Sequence, residues 1–140
     1  MAKKEIVNVK WLDNMAFEAD ISGHKMVLDS DVTVGGEGRG PRPKLLLLSA
    51  LGGCTGMDVV SILNKMRVDF KGVNVIIEGD LTEEHPKTFY KIHVIYEIKG
   101  KDLPIDKLRK AVSLSEDKYC AVSAIYKKAL EITSEIRVLE

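Results

Sequence analysis

Two cysteines, Cys54 and Cys120, are the residues of this chain best equipped for covalent chemistry. A thiolate is a nucleophile, and a second thiol can close its oxidised form into a reversible disulfide. Two cysteines are too few for a disulfide scaffold and lack the close spacing of a zinc site. In a reducing cytosol a permanent bridge is unusual, a transient catalytic one less so. Free cysteine also packs as a small apolar side chain, so two purely structural thiols remain an alternative. Of the histidines, His24 falls in a turn, His85 precedes a proline, and His93 lies on the mixed face of a strand. No further ligand accompanies them, so neither metal nor cofactor is expected.

Around Cys54 the glycines are conspicuous: Gly52-Gly53 before it and Gly56 after it. Inside a helix each costs about 1 kcal/mol relative to alanine. Glycine lets a ligand or another backbone approach closely, and tight helix crossing accounts for the pair equally well. Arg39, Arg42 and Lys44 on the N-terminal side favour a thiolate if they fold back. Asp58, one turn on, opposes it if it faces the same pocket. Cys120 stands at the start of a predicted helix over 121–130, where the dipole favours an anion. The stretch Val34–Pro43 reads as a glycine-rich loop without a Gly-Lys-Ser/Thr phosphate signature. Arg39 within it is the candidate for orienting an anion or peroxide near Cys54; a mobile lead-in to the next helix is the plainer reading.

These residues need a scaffold. Glu5–Leu12, Phe17–Ile21 and Met26–Leu28 alternate between turn signals, which predicts a three-stranded antiparallel meander. Pro41–Arg67 predicts a long helix whose Leu45–Leu51 turn has no polar face and so is buried all round. Val73–Gly79 and Thr88–Ile98 form a predicted hairpin, with Tyr90, Ile92, Val94, Tyr96 and Ile98 on the buried face. Two amphipathic helices follow, around Ile105–Val112 and 121–130, and Ile132–Leu139 closes the chain as a strand. The expected fold is α+β with antiparallel strands around the long central helix, in a single domain over residues 1–140.

With 140 residues and a net charge of zero, the chain presents no basic field for nucleic acid or acidic lipid. Its first residues are charged and lack the apolar core of a signal peptide. The apolar runs break well short of the roughly 20 residues that span a bilayer. A soluble, cytoplasmic protein is expected, with neither nucleic acid nor membrane as partner.

Pro43-Lys-Leu-Leu-Leu-Leu-Ser-Ala-Leu-Gly-Gly-Cys54-Thr, joined to Ser115-Glu-Asp-Lys-Tyr-Cys120-Ala-Val-Ser, resembles the OsmC/Ohr family of osmotically inducible and organic hydroperoxide resistance proteins. Gly-Cys54-Thr-Gly-Met-Asp-Val-Val is closer to its less characterised OsmC-like branch. The resemblance implies an intertwined homodimer with the long helices central, and an antioxidant stress-response enzyme. Cys54 would correspond to the cysteine that attacks a small organic hydroperoxide and becomes a sulfenic acid. Cys120 would correspond to the one that condenses with it to a disulfide, later opened by a dithiol reductant of lipoyl or thioredoxin type. Two positions depart from the pattern. Lys44 stands where the family has a glutamate after the helix-opening proline, and the hairpin turn Asp13-Asn14-Met15 lacks the family arginine, for which Arg39 is a substitute. These departures motivate the alternative of a non-catalytic dimer that senses redox state or binds an apolar ligand.

Overall fold

The computed structural model describes residues 3–140, which fall into two compact units, the first reaching to Leu47 and the second Leu48–Glu140. The first holds β1 (Asn8–Asp13), β2 (Ala16–Ile21) and β3 (His24–Leu28), paired antiparallel in sequence order. Both turns come from local chemistry. Ser22 and Gly23 take positive φ, the combination a two-residue hairpin needs to match strand twist. At the other turn Asn14 is left-handed, and its carbonyl accepts the Trp11 indole N–H. Ala16 and Ala19 of β2 are buried, whereas every residue of β1 is exposed, Trp11 at 60%.

After β3 the chain is gathered around Asp29, which is 2% exposed. Its carboxylate accepts the backbone N–H groups of Ser30, Glu37 and Arg39. Burial pushes this carboxyl up, but the Arg39, Ser30 and Glu37 N–H groups, aided by the Arg39 guanidinium, outweigh it and hold it below the usual range. A Cβ at Gly36 would collide with the Ser30 backbone, and one at Gly40 with Val27. The loop expected as a loose lead-in is thus fixed by hydrogen bonds and close backbone approach.

α1 (Pro43–Lys65) begins in the first unit and continues into the second. It ends in a Schellman arrangement: Arg67 is left-handed and donates to Asn64, while Val68 donates to Leu63. In the second unit β4 (Gly72–Leu81) and β5 (Phe89–Lys99) form the expected hairpin, followed by α2 (Ile105–Leu114), a π-helical turn (Ser115–Tyr119), α3 (Ala121–Tyr126) and β6 (Glu131–Leu139). The core joins Leu51, Val59 and Leu63 of α1 to Ile92, Val94, Tyr96 and Ile98 of β5 and Leu108 and Ala111 of α2. Gly52 and Gly56, one turn apart, allow this approach, because a Cβ on them would come within 3.2 Å of Ile77 and 3.3 Å of Val75.

Several expectations need correction. β6 pairs with β5 in parallel, not antiparallel. The helical connection between them explains this, since parallel neighbours require a long crossover. Tyr90 is 54% exposed although its partners on the same face are buried. The second short helix stops at Tyr126 instead of reaching Leu130. α1 is not buried all round within one chain: Leu51, Thr55, Val59 and Leu63 are buried, but Leu45, Leu47 and Met57 are exposed, Met57 at 76%. By length and composition α1 is also apolar enough to cross a bilayer, which the count of uninterrupted apolar residues missed. Its buried row is instead packed in the core of the second unit.

Candidate thiol site

α1 carries Cys54, Thr55 and Asp58, so that Cys54 and Asp58 share one helix face a turn apart. Cys120 arrives from the far side of the hairpin, between the π-helical turn and α3. There it is the N-cap of α3, and its Sγ accepts the Ser123 N–H at 3.3 Å. The π-helical turn inserts an extra residue just before it, a geometry common where a side chain must be re-aimed. The result is that Cys54 Sγ, Cys120 Sγ and an Asp58 carboxylate oxygen lie within 4.8 Å of one another. Both cysteines are free thiols; Cys54 is half-buried and Cys120 is buried.

Burial pushes the Cys120 thiol up to about 11, and the neighbouring Cys54 adds to this, against weaker support for the thiolate from the Ser123 N–H. The help expected from the start of α3 is present but loses to desolvation. Cys120 is therefore a protonated thiol at neutral pH, and it needs a base before it can attack anything. Asp58 lies beside both sulfurs, the arrangement in which a carboxylate opposes a thiolate.

Beneath the thiols lies a buried polar chain that the sequence did not announce. Thr55 Oγ1 is 2.8 Å from both the Tyr96 hydroxyl and Ser115 Oγ. Ser115 donates to Asp58 at 2.9 Å, and Tyr96 donates to Glu116 at 2.7 Å. Ser134 donates to the other Glu116 oxygen, and Lys127 donates to the Glu116 carbonyl. Burial pushes Tyr96 far above the ordinary tyrosine range, with Thr55 opposing and Glu116 adding to the rise. The available signal was a hydroxyl directly after Cys54 and Ser115-Glu116 at the head of the second cysteine motif. Periodicity could not tell that these residues face inward.

Arg39 belongs to the first unit, where three carboxylates hold it: Asp13 at 2.7 Å, Glu37 at 3.3 Å and Asp29 at 3.5 Å. Its hydrogen bond to Asp13 leads the interactions that raise its already high pKa. Arg39 thereby reaches the β1–β2 turn, the element whose own sequence lacks an arginine. Lys44 is exposed in the first turn of α1, which contains no acid. His93 bonds to Thr133 and Glu135 across β5–β6 rather than joining the thiols. Among the described residues the thiol cluster is the one group of three or more Cys, His, Asp or Glu donors close enough to share a metal ion. It offers three donors, and Asp58 and Cys120 are already engaged by Ser115 and Ser123.

The profile of the OsmC-like protein family matches residues 36–135, spanning both cysteine motifs. The chain belongs to the OsmC-like family. It is 36% identical over 132 residues to Protein YhfA of Escherichia coli, covering 94% of this chain and 96% of that one. A hypothetical protein from Aquifex aeolicus superposes with a TM-score of 0.83 at 31% identity, over 99% of this chain and all of the other. The organic hydroperoxide resistance protein OhrB of Bacillus subtilis shares the fold, with a TM-score of 0.65 at 15% identity over 96% of this chain and 98% of its own. The α+β fold with a long helix is thus that of OsmC-like proteins, and proteins named for organic hydroperoxide resistance share it.

Proposed function

We propose that this OsmC-like chain is a thiol peroxidase that reduces small organic hydroperoxides. The observation that carries the reading is that the Cys54 and Cys120 sulfurs, from separate elements, lie within 4.8 Å of each other. The Cys54 thiolate attacks the distal oxygen of the hydroperoxide; an S–O bond forms, the O–O bond breaks, and the alkoxide leaves as an alcohol after taking a proton. Cys120 then attacks the Cys54 sulfenic acid, closing the disulfide and releasing water. A dithiol reductant reopens it by exchange, becoming a disulfide itself. The half-buried Cys54 suits the first role and the buried, protonated Cys120 the second.

The exposed apolar residues of α1 and of β1 fit a homodimer in which a second copy covers them. Arg39 is the proposed cation for the peroxide. Its three carboxylate partners favour the second reading, a slow redox sensor of the same fold, because they already satisfy the guanidinium. Turnover separates the two. The reduced protein is mixed with tert-butyl hydroperoxide and either dihydrolipoamide or a thioredoxin system. Sustained peroxide loss that disappears in Cys54→Ser supports the peroxidase. One slow oxidation per chain with either reductant supports the sensor.

A further inference from the structure

We infer that Asp58 is the proton-transfer residue of the thiol site, and that it draws on one proton shared along a chain of hydroxyls ending at Glu116. The inference deepens the peroxidase reading and rests on it for the chemistry, but not for the proton count.

Four contacts of 2.7 to 2.9 Å join Asp58 to Glu116 through Ser115, Thr55 and Tyr96. Oxygen atoms this close share a proton. A carboxylate only accepts, and each hydroxyl brings one proton. Ser115 gives its proton to Asp58 and Tyr96 gives its own to Glu116. Thr55 is left with one proton for two contacts. With both carboxyls ionised, three hydroxyl protons serve four contacts, and one pair of buried oxygens faces lone pair to lone pair. Thr55, Ser115 and Tyr96 are at most 1% exposed, so solvent does not fill a gap among the hydroxyls between the two half-exposed carboxyls. A fourth proton on either terminal carboxyl completes every bond. Placed on Asp58, it runs the chain toward Glu116; placed on Glu116, it runs the chain toward Asp58. Turning three hydroxyls moves the proton from end to end.

The two ends differ in what they face. Asp58 faces the Cys54 and Cys120 sulfurs. Glu116 lines a surface groove with Arg109 of α2, Asp117 of the π-helical turn and Glu135 of β6, and its carbonyl takes the Lys127 ammonium just past α3. Next to its N-cap Cys120, α3 contributes Tyr126, which burial keeps protonated. The chain thus links the two sulfurs to a carboxyl that lines a surface groove.

Each half of the reaction needs one proton moved at the pocket. When Cys54 takes the peroxide oxygen, the alkoxide leaves and Asp58 supplies the proton that makes it an alcohol. When Cys120 attacks the sulfenic acid, Asp58, now ionised, accepts the thiol proton and passes it to the departing hydroxide as water. Cys120 requires such a base because its thiol is held protonated.

The test has two arms on the full-length reduced protein. Infrared spectra at neutral pH are recorded for wild type, Asp58→Asn and Glu116→Gln. Either amide supplies the missing proton permanently, so the chain stays bonded while the shared proton is lost. The wild type is expected to show a protonated-carboxyl carbonyl band that both variants lack; a wild type without the band overturns the proton count. In the second arm, disulfide closure is followed after one equivalent of tert-butyl hydroperoxide, and separately with diamide, across pH. Asp58→Asn is expected to slow closure by about 10²-fold or more and to flatten its pH profile. Closure at the wild-type rate and profile overturns the role of Asp58. If the wild type closes with diamide but not with hydroperoxide, the peroxidase reading falls, and the diamide profile still decides on Asp58.

Discussion

Cys54 and Cys120 hold free sulfurs within 4.8 Å of each other, one on a long helix and the other capping a short helix beyond the hairpin. Neither sulfur is in the same electrostatic position. Cys54 is half-buried beside a carboxylate, while Cys120 is buried and held protonated.

Alkylation should therefore be ordered. Iodoacetamide at pH 8 is expected to label Cys54 first and to leave Cys120 unmodified until the chain unfolds, as read by peptide mass spectrometry. The same asymmetry has a stability consequence. The Cys120 thiol titrates near 9.0 when unfolded and about 11 when folded. The folded state therefore holds its proton more tightly. This contribution is complete below about 9 and is lost as pH rises through about 11. Urea midpoints of Cys120→Ser should lack that alkaline decline.

Tyr96→Phe removes the hydroxyl that joins Thr55 to Glu116 in the core. The ring still packs, so the loss is polar. A decrease of about 1–3 kcal/mol in urea unfolding is expected, because buried partners lose their bonds. No change would mean that the chain is not made.

Acid should loosen the Asp29 loop before the core of the second unit. The folded Asp29 carboxyl lies below its usual 3.8. Its contribution is present above that value and lost as pH falls through the lower folded pKa. Hydrogen exchange at the Ser30, Glu37 and Arg39 amides should accelerate in that window, and Asp29→Asn should show the fast exchange already at neutral pH.

Arg39→Ala and Arg39→Lys separate a structural from a catalytic arginine. Lysine keeps the charge but loses the fork that spans Asp13 and Asp29. If Arg39 orients peroxide, both variants should lose hydroperoxide reduction at least tenfold while disulfide closure by diamide is unchanged. Equal rates in all three proteins would leave Arg39 as a clasp of the first unit.

The elements were legible where a period or a turn signal spoke. Alternation gave β1 to β5, and Ser22-Gly23 and Asp13-Asn14 gave the turns. The parallel seat of β6 was harder to see, because a strand's own sequence does not state its direction; the long helical connection before it was the available clue. The meeting of the thiols came from resemblance to a family motif, since distance along the chain says nothing about distance in space. The Thr55–Tyr96–Ser115 chain stayed hidden because single hydroxyls leave no periodic trace. Of the Gly52-Gly53 pair read as a site of close approach, Gly52 is one and Gly53 is not: a Cβ at Gly53 would meet nothing within 4 Å, whereas β4 approaches Gly52 and also Gly56.

The central claim is most directly tested by the state of both sulfurs after one equivalent of tert-butyl hydroperoxide. Peptide mass spectrometry of the quenched protein should find a Cys54–Cys120 disulfide in most chains, and Cys120→Ser should instead trap Cys54 as a dimedone-reactive sulfenic acid. Two unmodified thiols, with a control thiol oxidised in the same tube, would contradict the account.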